Sequence, residues 1–176
     1  MIYQPKPTPL LILDLDGTVR QGKDDPLGRF VNGPEDVVVF PEAVEMMRRH
    51  KRAGGRILGA SNQGGIALWH VTTEQVYAAL EKTFQDCEGM FDRICICSHH
   101  PDADKLEDSR CWCRKPLPGM VLEGITDLAQ FYGERYVPWM ALFVGDRPED
   151  EECARLLGVD FQWAHEWRAM AKIEVS

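Results

Sequence analysis

Two aspartates, Asp14 and Asp16, stand one residue apart at the end of an apolar run over residues 10–13. The run lies between Pro9 and Gly17, so it is long enough for one buried β-strand and too short for a membrane span. Because side chains alternate along a strand, both carboxyl groups project to the same side. Like charges so close repel unless a cation neutralises them or one group holds a proton. The pair therefore indicates a metal site or a nucleophile beside an acid/base, in preference to two solvated acids in a turn.

Three further residues able to take part in chemistry follow later in the chain: Ser61, Lys115 and Asp146. The three aspartates are a hard-oxygen set of the kind that Mg²⁺ prefers, with water and phosphate completing the coordination. Lys115 and Ser61 would supply a counter-charge and a hydroxyl donor to the oxygens of a transferring phosphoryl group. An aspartate nucleophile beside an acid splits phosphate hydrolysis into two easier steps through an aspartyl-phosphate. The set predicts Mg²⁺-dependent phosphoryl chemistry.

A second group of chemical interest consists of Cys97, His99, Cys111 and Cys113. Three thiolates and an imidazole make a complete tetrahedral set, which is typical of a closed structural Zn²⁺ site. The intervals differ from those of a zinc finger, so buried cysteines beside a loop histidine remain the alternative, and His100 could replace His99. A zinc ion here would hold the irregular loop over residues 97–113 together, and its binding would contribute on the order of ten kcal/mol to the free energy of folding.

The elements that must position these groups alternate between strands and helices. Short apolar runs predict strands, and apolar residues at helical spacing predict helices. This alternation predicts an α/β fold with a central parallel sheet that carries helices on both faces. In such sheets ligands bind beyond the carboxyl ends of the strands, where Asp14, Asp16, Ser61 and Asp146 fall. The predicted strands cover residues 10–13, 56–61, 93–97, 140–146 and 159–161, and the predicted helices begin at residues 41, 72, 118 and 148, with a helical tail at 167–173.

In this order, the motifs resemble the four motifs of the haloacid dehalogenase (HAD) phosphohydrolase superfamily. The matching segments are 14–18 (Asp-Leu-Asp-Gly-Thr), Ser61, Lys115 and 145–150 (Gly-Asp-Arg-Pro-Glu-Asp). The resemblance implies a Rossmann-like HAD fold, with Asp14 as nucleophile, Asp16 as general acid/base, and Ser61 and Lys115 on the phosphate. The implied Mg²⁺ ligands are Asp14, the backbone carbonyl of Asp16 and Asp146, with Asp150 in support through water.

The cysteine group resembles the zinc-containing branch of this superfamily, which includes heptose bisphosphate phosphatases and histidinol-phosphate phosphatases. The similarity extends to Asn62-Gln63 and to residues 113–116 (Cys-Arg-Lys-Pro). In that branch the arginine before the motif lysine contacts substrate, which makes Arg114 the candidate specificity residue. The candidate phosphate- and substrate-binding residues are therefore Gly17, through backbone N–H donors, and Ser61, Asn62, Arg114 and Lys115.

Three departures from the heptose enzymes leave the substrate open. Leu15 and Ser61 stand where those enzymes usually have arginine and threonine, and Arg147 replaces a common lysine. Residues 30–42 instead look similar to polynucleotide 3'-phosphatases. We therefore expect a phosphatase that acts on a small sugar phosphate or a histidinol-phosphate-like substrate, with polynucleotide 3'-phosphatase as the alternative. A catalytically silent zinc-binding interaction module is the alternative from another class, and it predicts loss of one acid from the first motif.

Length and charge bound the remaining expectations. The chain has 176 residues, six cysteines and a formal net charge of −8. We expect a single domain over residues 1–176 that lacks a cap, because a flap at about residues 19–40, helices and the zinc loop fill the stretches between motifs. Phe30-Val31 and residues 37–40, on either side of Asn32-Gly33-Pro34, suggest that this flap is a short hairpin. The negative charge disfavours nucleic acid, although a local basic strip could override it. With no export signal or spanning run, we expect a cytoplasmic protein that uses its cysteines as thiols or ligands, binds no membrane, and is a monomer or small homo-oligomer.

Overall fold

The structure is a computed structural model that describes residues 7–23 and 30–173. Strands and helices alternate along it as the sequence predicts. The strands are β1 (Leu10–Leu13), β2 (Arg20–Gly22), β3 (Val37–Val39), β4 (Arg56–Asn62), β5 (Arg93–Cys97), β6 (Ala141–Gly145) and β7 (Asp160–Trp163). The α-helices are α1 (Pro41–Arg52), α2 (Thr73–Asp86), α3 (Leu106–Ser109), α4 (Gly119–Tyr132), α5 (Pro148–Leu157) and α6 (Ala164–Ala169), and 3-10 turns cover Pro34–Asp36, Pro138–Met140 and Met170–Lys172.

A parallel sheet of five strands, in the order β5-β4-β1-β6-β7, forms the centre of the described chain. β1 is the middle strand and pairs with β4 on one side and β6 on the other. The chain moves outward from β1 in both directions, so the carboxyl end of β1 is a switch point of the kind where such sheets bind ligands. The predicted α/β fold is confirmed, and the aspartate pair follows its central strand.

The side chains of β1 divide the core into two halves. All four residues of the strand are buried. Leu11 and Leu13 pack with residues of α1, α2 and α6, whereas Leu10 and Ile12 pack with residues of α4 and α5. Burial of each of these side chains contributes about 1.5–3 kcal/mol. A strand covered by helices on both faces has no polar side, which explains its continuous apolar sequence.

Helix ends follow local sequence signals. The side chain of Thr72 accepts from the N–H of Gln75 at 3.2 Å, and Gln75 Oε1 accepts from the N–H of Thr72 at 2.8 Å, which makes a capping box at the start of α2. Gly133 and Gly158 follow α4 and α5 in the left-handed conformation, with φ of 64° and 69°. No helix in the described part of the chain is both long and apolar enough to cross a membrane.

Three element predictions need correction. The flap hairpin pairs β2 with β3 rather than Phe30-Val31 with residues 37–40, because Val31 is buried against Val37 and Ala79 instead of extending a strand. The segment after β5, expected to be irregular, contains the single turn α3. The C-terminal helix begins at Ala164, three residues before the predicted start. The flap residues 24–29 and the proline-rich start at residues 1–6 lie outside the described residues.

Candidate active site and metal-binding cluster

A tight loop after β1 places the two aspartates at the edge of the sheet. Three successive N–H groups, at residues 18–20, donate to the carbonyl of Leu15 at 3.2, 2.9 and 3.0 Å, and the N–H of Gly17 donates to the carbonyl of Arg20 at 2.8 Å. Gly17 has φ of +91°, and a Cβ atom there would overlap the carboxylate of Asp146. Only glycine suits this position, because it tolerates both the dihedral angle and the close approach.

Asp14 forms a buried charge cluster with Lys115 and Asp150. The Lys115 ammonium lies 2.6 Å from Asp14 Oδ1 and 2.7 Å from Asp150 Oδ1, and it also donates to the carbonyl of Ala60 at 2.7 Å. The Thr18 hydroxyl donates to the other oxygen of Asp14 at 3.3 Å. Each of the three charged residues is less than a tenth exposed. One ammonium group therefore pairs with both carboxylates.

Burial and neighbouring charges raise the pKa values of both Asp14 and Lys115. Burial raises the pKa of Asp14 to about 7, with the Lys115 charge opposing the rise and the Asp150 charge adding to it. Burial alone would lower the pKa of Lys115, but the charges of Asp14 and Asp150 outweigh it and hold the pKa above its ordinary value. Lys115 is accordingly a permanent cation at physiological pH.

The carboxylates of Asp14, Asp146 and Asp150 converge as a candidate cation site. One oxygen from each lies within 4.8 Å of the others. Among the described residues, Asp146 Oδ1 is buried and has no hydrogen-bond partner. A buried carboxylate oxygen is costly without a partner, and coordination by a divalent cation supplies one. The set therefore fits Mg²⁺, with three carboxylates against the single positive charge of Lys115.

Asp16 lies on the other side of the cleft with a separate set of partners. Its Oδ1 accepts from Nε of Arg20 at 2.8 Å, and its Oδ2 accepts from Nε2 of Gln63 at 2.7 Å and lies 3.4 Å from the Ser61 hydroxyl. Its side chain is absent from the carboxylate cluster around Asp146. The two aspartates of the first motif thus have different environments, one facing a lysine and a cation site and the other facing an arginine and an amide.

Of the predicted phosphate- and substrate-binding residues, Ser61, Asn62 and Lys115 line one cleft, whereas Gly17 and Arg114 are not among the residues that line it. Asn62 and Arg114 use their polar groups on the protein. Asn62 donates to the carbonyl of Lys115 and accepts from its N–H, both at 3.0 Å, so it anchors the lysine backbone. The guanidinium of Arg114 donates to the carbonyl of His99 at 3.0 Å. Their roles toward substrate stay predictions. The cleft is lined by Asp14, Asp16, Phe30, Ser61, Asn62, Lys115, Arg147, Glu149 and Asp150.

Three residues that support the site were not predicted from the sequence. Arg20 and Gln63 hold Asp16, and Arg168 of α6 donates to the carbonyls of Gly17 and Thr18 at 2.8 and 2.7 Å. Gln63 lies two residues after Ser61, in the segment that resembles the zinc-containing branch, which was a usable signal. Nothing local marked Arg168, whose partners lie about 150 residues earlier in the chain, or the burial of Arg20, whose other partners Ala79 and Thr83 belong to α2.

The four predicted zinc ligands converge as expected. Cys97 Sγ lies 3.6 Å from Cys111 Sγ and 3.2 Å from Cys113 Sγ, and His99 Nδ1 lies 3.5 and 3.4 Å from Cys97 and Cys113 Sγ. The edges of a tetrahedron around zinc, with bonds of about 2.3 Å to sulfur, are about 3.8 Å long. His100 points elsewhere and accepts from the N–H of Asp102. The cluster can hold a metal ion of the size and softness of zinc.

Comparison with known proteins agrees with this geometry. No family model matches the chain. A D-glycero-D-manno-heptose-1,7-bisphosphate 7-phosphatase from Chlorobaculum tepidum is 33% identical over 156 residues, which cover 85% of this chain and 75% of the relative. The chain belongs to the heptose bisphosphate phosphatase family of HAD phosphatases. It is therefore an enzyme that hydrolyses phosphate esters, which sets aside the silent interaction module.

Solved structures extend the likeness of this phosphatase to the whole fold. A D,D-heptose 1,7-bisphosphate phosphatase from B. bronchiseptica, in complex with magnesium and phosphate, superposes with a TM-score of 0.70 at 28% identity and covers 96% of this chain and 89% of its own. A HAD-like phosphatase from Mesorhizobium loti superposes with a TM-score of 0.74 at 26% identity, covering 90% and 72%. The Rossmann-like HAD fold is confirmed.

Proposed function

We propose that this phosphatase is a Mg²⁺-dependent phosphomonoesterase that acts on a small sugar phosphate through an aspartyl-phosphate. The observation that carries the proposal is the pairing of Asp14 with Lys115 at 2.6 Å, at the carboxyl end of the central strand. A buried carboxylate held by a permanent cation is fixed in place as a nucleophile. The Chlorobaculum tepidum relative, named for its action on a heptose bisphosphate, supports a sugar phosphate as substrate.

The two aspartates divide the reaction between them. A carboxylate oxygen of Asp14 attacks phosphorus, the bond from phosphorus to the leaving oxygen breaks, and the carboxylic acid of Asp16 gives its proton to that oxygen. Water then attacks the phosphorus of the aspartyl-phosphate and gives a proton back to Asp16, which releases inorganic phosphate and the Asp14 carboxylate. Proton transfer of this kind typically accelerates a step by about 10²–10⁴.

Other residues of the cleft bind the phosphoryl group. Lys115 neutralises charge on its oxygens, and the hydroxyl of Ser61 donates a hydrogen bond. The backbone N–H groups of residues 17–20 already donate to carbonyls within the loop, so any backbone donor that this loop offers to the phosphoryl group comes from before Gly17. Asn62 holds the Lys115 backbone, while Arg114 contacts the remainder of the substrate.

Metal ions complete the proposal. Asp14, Asp146 and the backbone carbonyl of Asp16 would hold Mg²⁺, with Asp150 supporting it through water. When bound, this ion would neutralise negative charge on the phosphoryl oxygens. Cys97, His99, Cys111 and Cys113 would hold a structural Zn²⁺, which keeps the loop before Lys115 in place. We place the protein in the cytoplasm, as a monomer or small homo-oligomer.

An Asp14→Asn variant tests the mechanism. We expect it to lose release of phosphate from a generic aryl phosphate, because an amide cannot form the aspartyl-phosphate. Asp86→Asn is the matched control, since Asp86 lies at the exposed end of α2 and pairs only with Lys82 among the described residues.

Substrates are then compared at equal concentration, with and without Mg²⁺: a heptose bisphosphate, histidinol phosphate and a 3'-phosphorylated oligonucleotide. Retained turnover by Asp14→Asn would overturn the mechanism, and preference for the oligonucleotide would overturn the substrate class.

A further inference from the structure

Arg20 is a buried charge for which the proposed reaction has no use. Its side chain is 1% exposed, and it is among the largest fully buried side chains of the described chain. Arginine remains protonated in proteins, and a buried guanidinium is costly unless its donors are satisfied. The contacts of its guanidinium therefore indicate which interactions compensate for burying this charge.

The guanidinium joins α2 to the first motif. On the α2 side, its Nη1 donates to the hydroxyl of Thr83 at 2.7 Å and to the carbonyl of Ala79 at 3.1 Å. The Thr83 hydroxyl itself donates to the same Ala79 carbonyl at 2.7 Å, which fixes the orientation of the hydroxyl. On the other side, Nε donates to Asp16 Oδ1 at 2.8 Å and Nη2 lies 3.5 Å from Asp16 Oδ2. The planar group is thus held at both ends.

These contacts give the two oxygens of Asp16 different surroundings. Oδ1 accepts from Nε of Arg20, while Oδ2 accepts from Gln63 at 2.7 Å and lies 3.4 Å from the Ser61 hydroxyl and 3.5 Å from Nη2 of Arg20. Asp16 and Ser61 both line the cleft. The backbones of Asp16 and Arg20 are also bridged across the tight loop. Rotation of the Asp16 carboxyl group would break its bond to Arg20, so this bond determines the plane of the carboxyl group.

We propose that Arg20 is the positioning residue for proton transfer by Asp16. By occupying Oδ1, it directs Oδ2 toward the cleft as the oxygen that gives a proton to the leaving oxygen and later takes one from water. Gln63 serves both protonation states, because its amide can present either an N–H to the carboxylate or its carbonyl oxygen to the acid. This inference rests on the proposed function and adds a residue on which the proton transfer depends.

The alternative is that Arg20 only fastens the loop to α2, and the leaving group distinguishes the two roles. Alkyl phosphates need a proton on the leaving oxygen, whereas phosphates of acidic phenols leave with little help. In a two-step covalent reaction, kcat/KM covers events up to departure of the leaving group, so slow hydrolysis of the aspartyl-phosphate does not affect it. Misplaced Asp16 therefore lowers kcat/KM selectively for alkyl phosphates, while a damaged loop lowers it for all substrates.

The experiment measures kcat/KM for Arg20→Met, Arg20→Lys and wild type over a series from acidic aryl to alkyl phosphates. We expect Arg20→Met to lose at least about tenfold more activity on alkyl than on acidic aryl phosphates. A misplaced Asp16 loses only part of the acceleration that acid/base catalysis supplies, which is typically about 10²–10⁴. Arg20→Lys, which retains a charge but not the fork, should recover part of this selectivity. Losses that are equal across the series would overturn the proposal.

A double-mutant cycle with Asp16→Asn supplies the second readout. If Arg20 acts through Asp16, adding Arg20→Met to Asp16→Asn leaves kcat/KM for alkyl phosphates unchanged, and additive losses would contradict it. Should Arg20→Met fail to fold by circular dichroism, Thr83→Val removes one of the two α2 contacts of Arg20 while Arg20 and Asp16 remain. It is then expected to show the same selectivity to a smaller degree, and a uniform loss would overturn the proposal. Activity that survives in Asp14→Asn would instead refute the proposed function, so the two failures are distinguishable.

Discussion

Individual residues of the first motif are constrained by their neighbours more than by their own chemistry. Gly17 carries no functional group, yet its backbone passes so close to the Asp146 carboxylate that any side chain would collide with it. The contact links the loop that bears Asp14 and Asp16 to the end of β6. A substitution at Gly17 therefore disturbs both the loop and the proposed cation site at once.

Gly17→Ala is expected to reduce phosphatase activity far more than the accompanying loss of unfolding free energy explains. The change strains a backbone with φ of +91° and displaces the Asp146 carboxylate. Gly133→Ala is the matched control, since Gly133 also has a positive φ, of +64°, but has open space where a Cβ atom would lie. Both variants should lose about 1 kcal/mol of unfolding free energy or more. Only Gly17→Ala should lose phosphatase activity, on the order of 10²-fold, as a misplaced active-site group does. Equal activity in both would contradict the assigned contact.

At this scale, the sequence predicts the candidate groups that converge at the site but not the residues that hold them in place. Asp14, Asp16, Ser61 and Asp146 could be found because each follows an apolar run, and runs in a parallel sheet end at one edge. Arg20 could not be found, because its partners Ala79 and Thr83 lie 59 and 63 residues further along the chain. Their proximity depends on the packing of α2 against the sheet, which no local pattern shows.

Among the elements, the loop between β5 and α4 depends most on its cluster of sulfur atoms. None of the residues at positions 98–112 is buried, so this segment has no core of its own. It leads directly to Arg114 and Lys115. The other elements pack through apolar faces, and the periodicity of their apolar residues predicted their positions. The strands of the flap hairpin could not be predicted in this way. Its segment at Phe30-Val31 has a strand-like composition, but Val31 packs into a small core with Val37 and Ala79 instead.

Cys111→Ser is expected to release this loop. Loss of one ligand weakens metal binding, and with it the folding energy that the metal contributes. The exposed Lys105 and Arg110 in the loop then become sites of tryptic cleavage, which mass spectrometry locates. Cys95→Ser is the control, because Cys95 lies on β5 outside the cluster. Metal analysis should find about one zinc per chain in wild type and Cys95→Ser, and less in Cys111→Ser. Protection that survives in a zinc-free Cys111→Ser protein would show that the loop folds without metal.

The molecule as a whole separates the charges of the candidate active site from a second set of charged residues at the opposite edge of the sheet. Asp92 lies there, before β5, and its carboxylate accepts from Lys51 and from the N–H of Ile57 at 2.8 Å each, and from Arg56 and Tyr132 at 3.1 Å each. These partners come from α1, β4 and α4. One carboxylate therefore joins elements from both faces of the sheet, on the side away from the cleft.

Asp92→Asn is expected to lower stability without changing catalysis. Burial alone would raise the pKa of Asp92, but the hydrogen bonds from Lys51 and Ile57 and the Lys51 charge outweigh it and hold the pKa below its ordinary value. A lowered pKa in the folded state contributes stability that is present above the unfolded value of about 3.9 and is lost as the pH falls through the folded value. Urea unfolding at pH 7 should therefore show a loss of about 1–3 kcal/mol for the variant.

The difference between wild type and Asp92→Asn should shrink as the pH is lowered below about 4, because the wild-type carboxylate then takes up a proton and loses the same charge. Asp127→Asn provides the comparison, since Asp127 pairs with Arg93 at 2.7 Å on the surface and both side chains are at least 40% exposed. Such a pair contributes about 0–1 kcal/mol. Both variants should keep the kcat of wild type at pH 7, because the cleft is lined by neither residue. A large fall in kcat for Asp92→Asn alone would show that the two edges of the sheet are coupled, so that its ion pairs serve catalysis as well as stability.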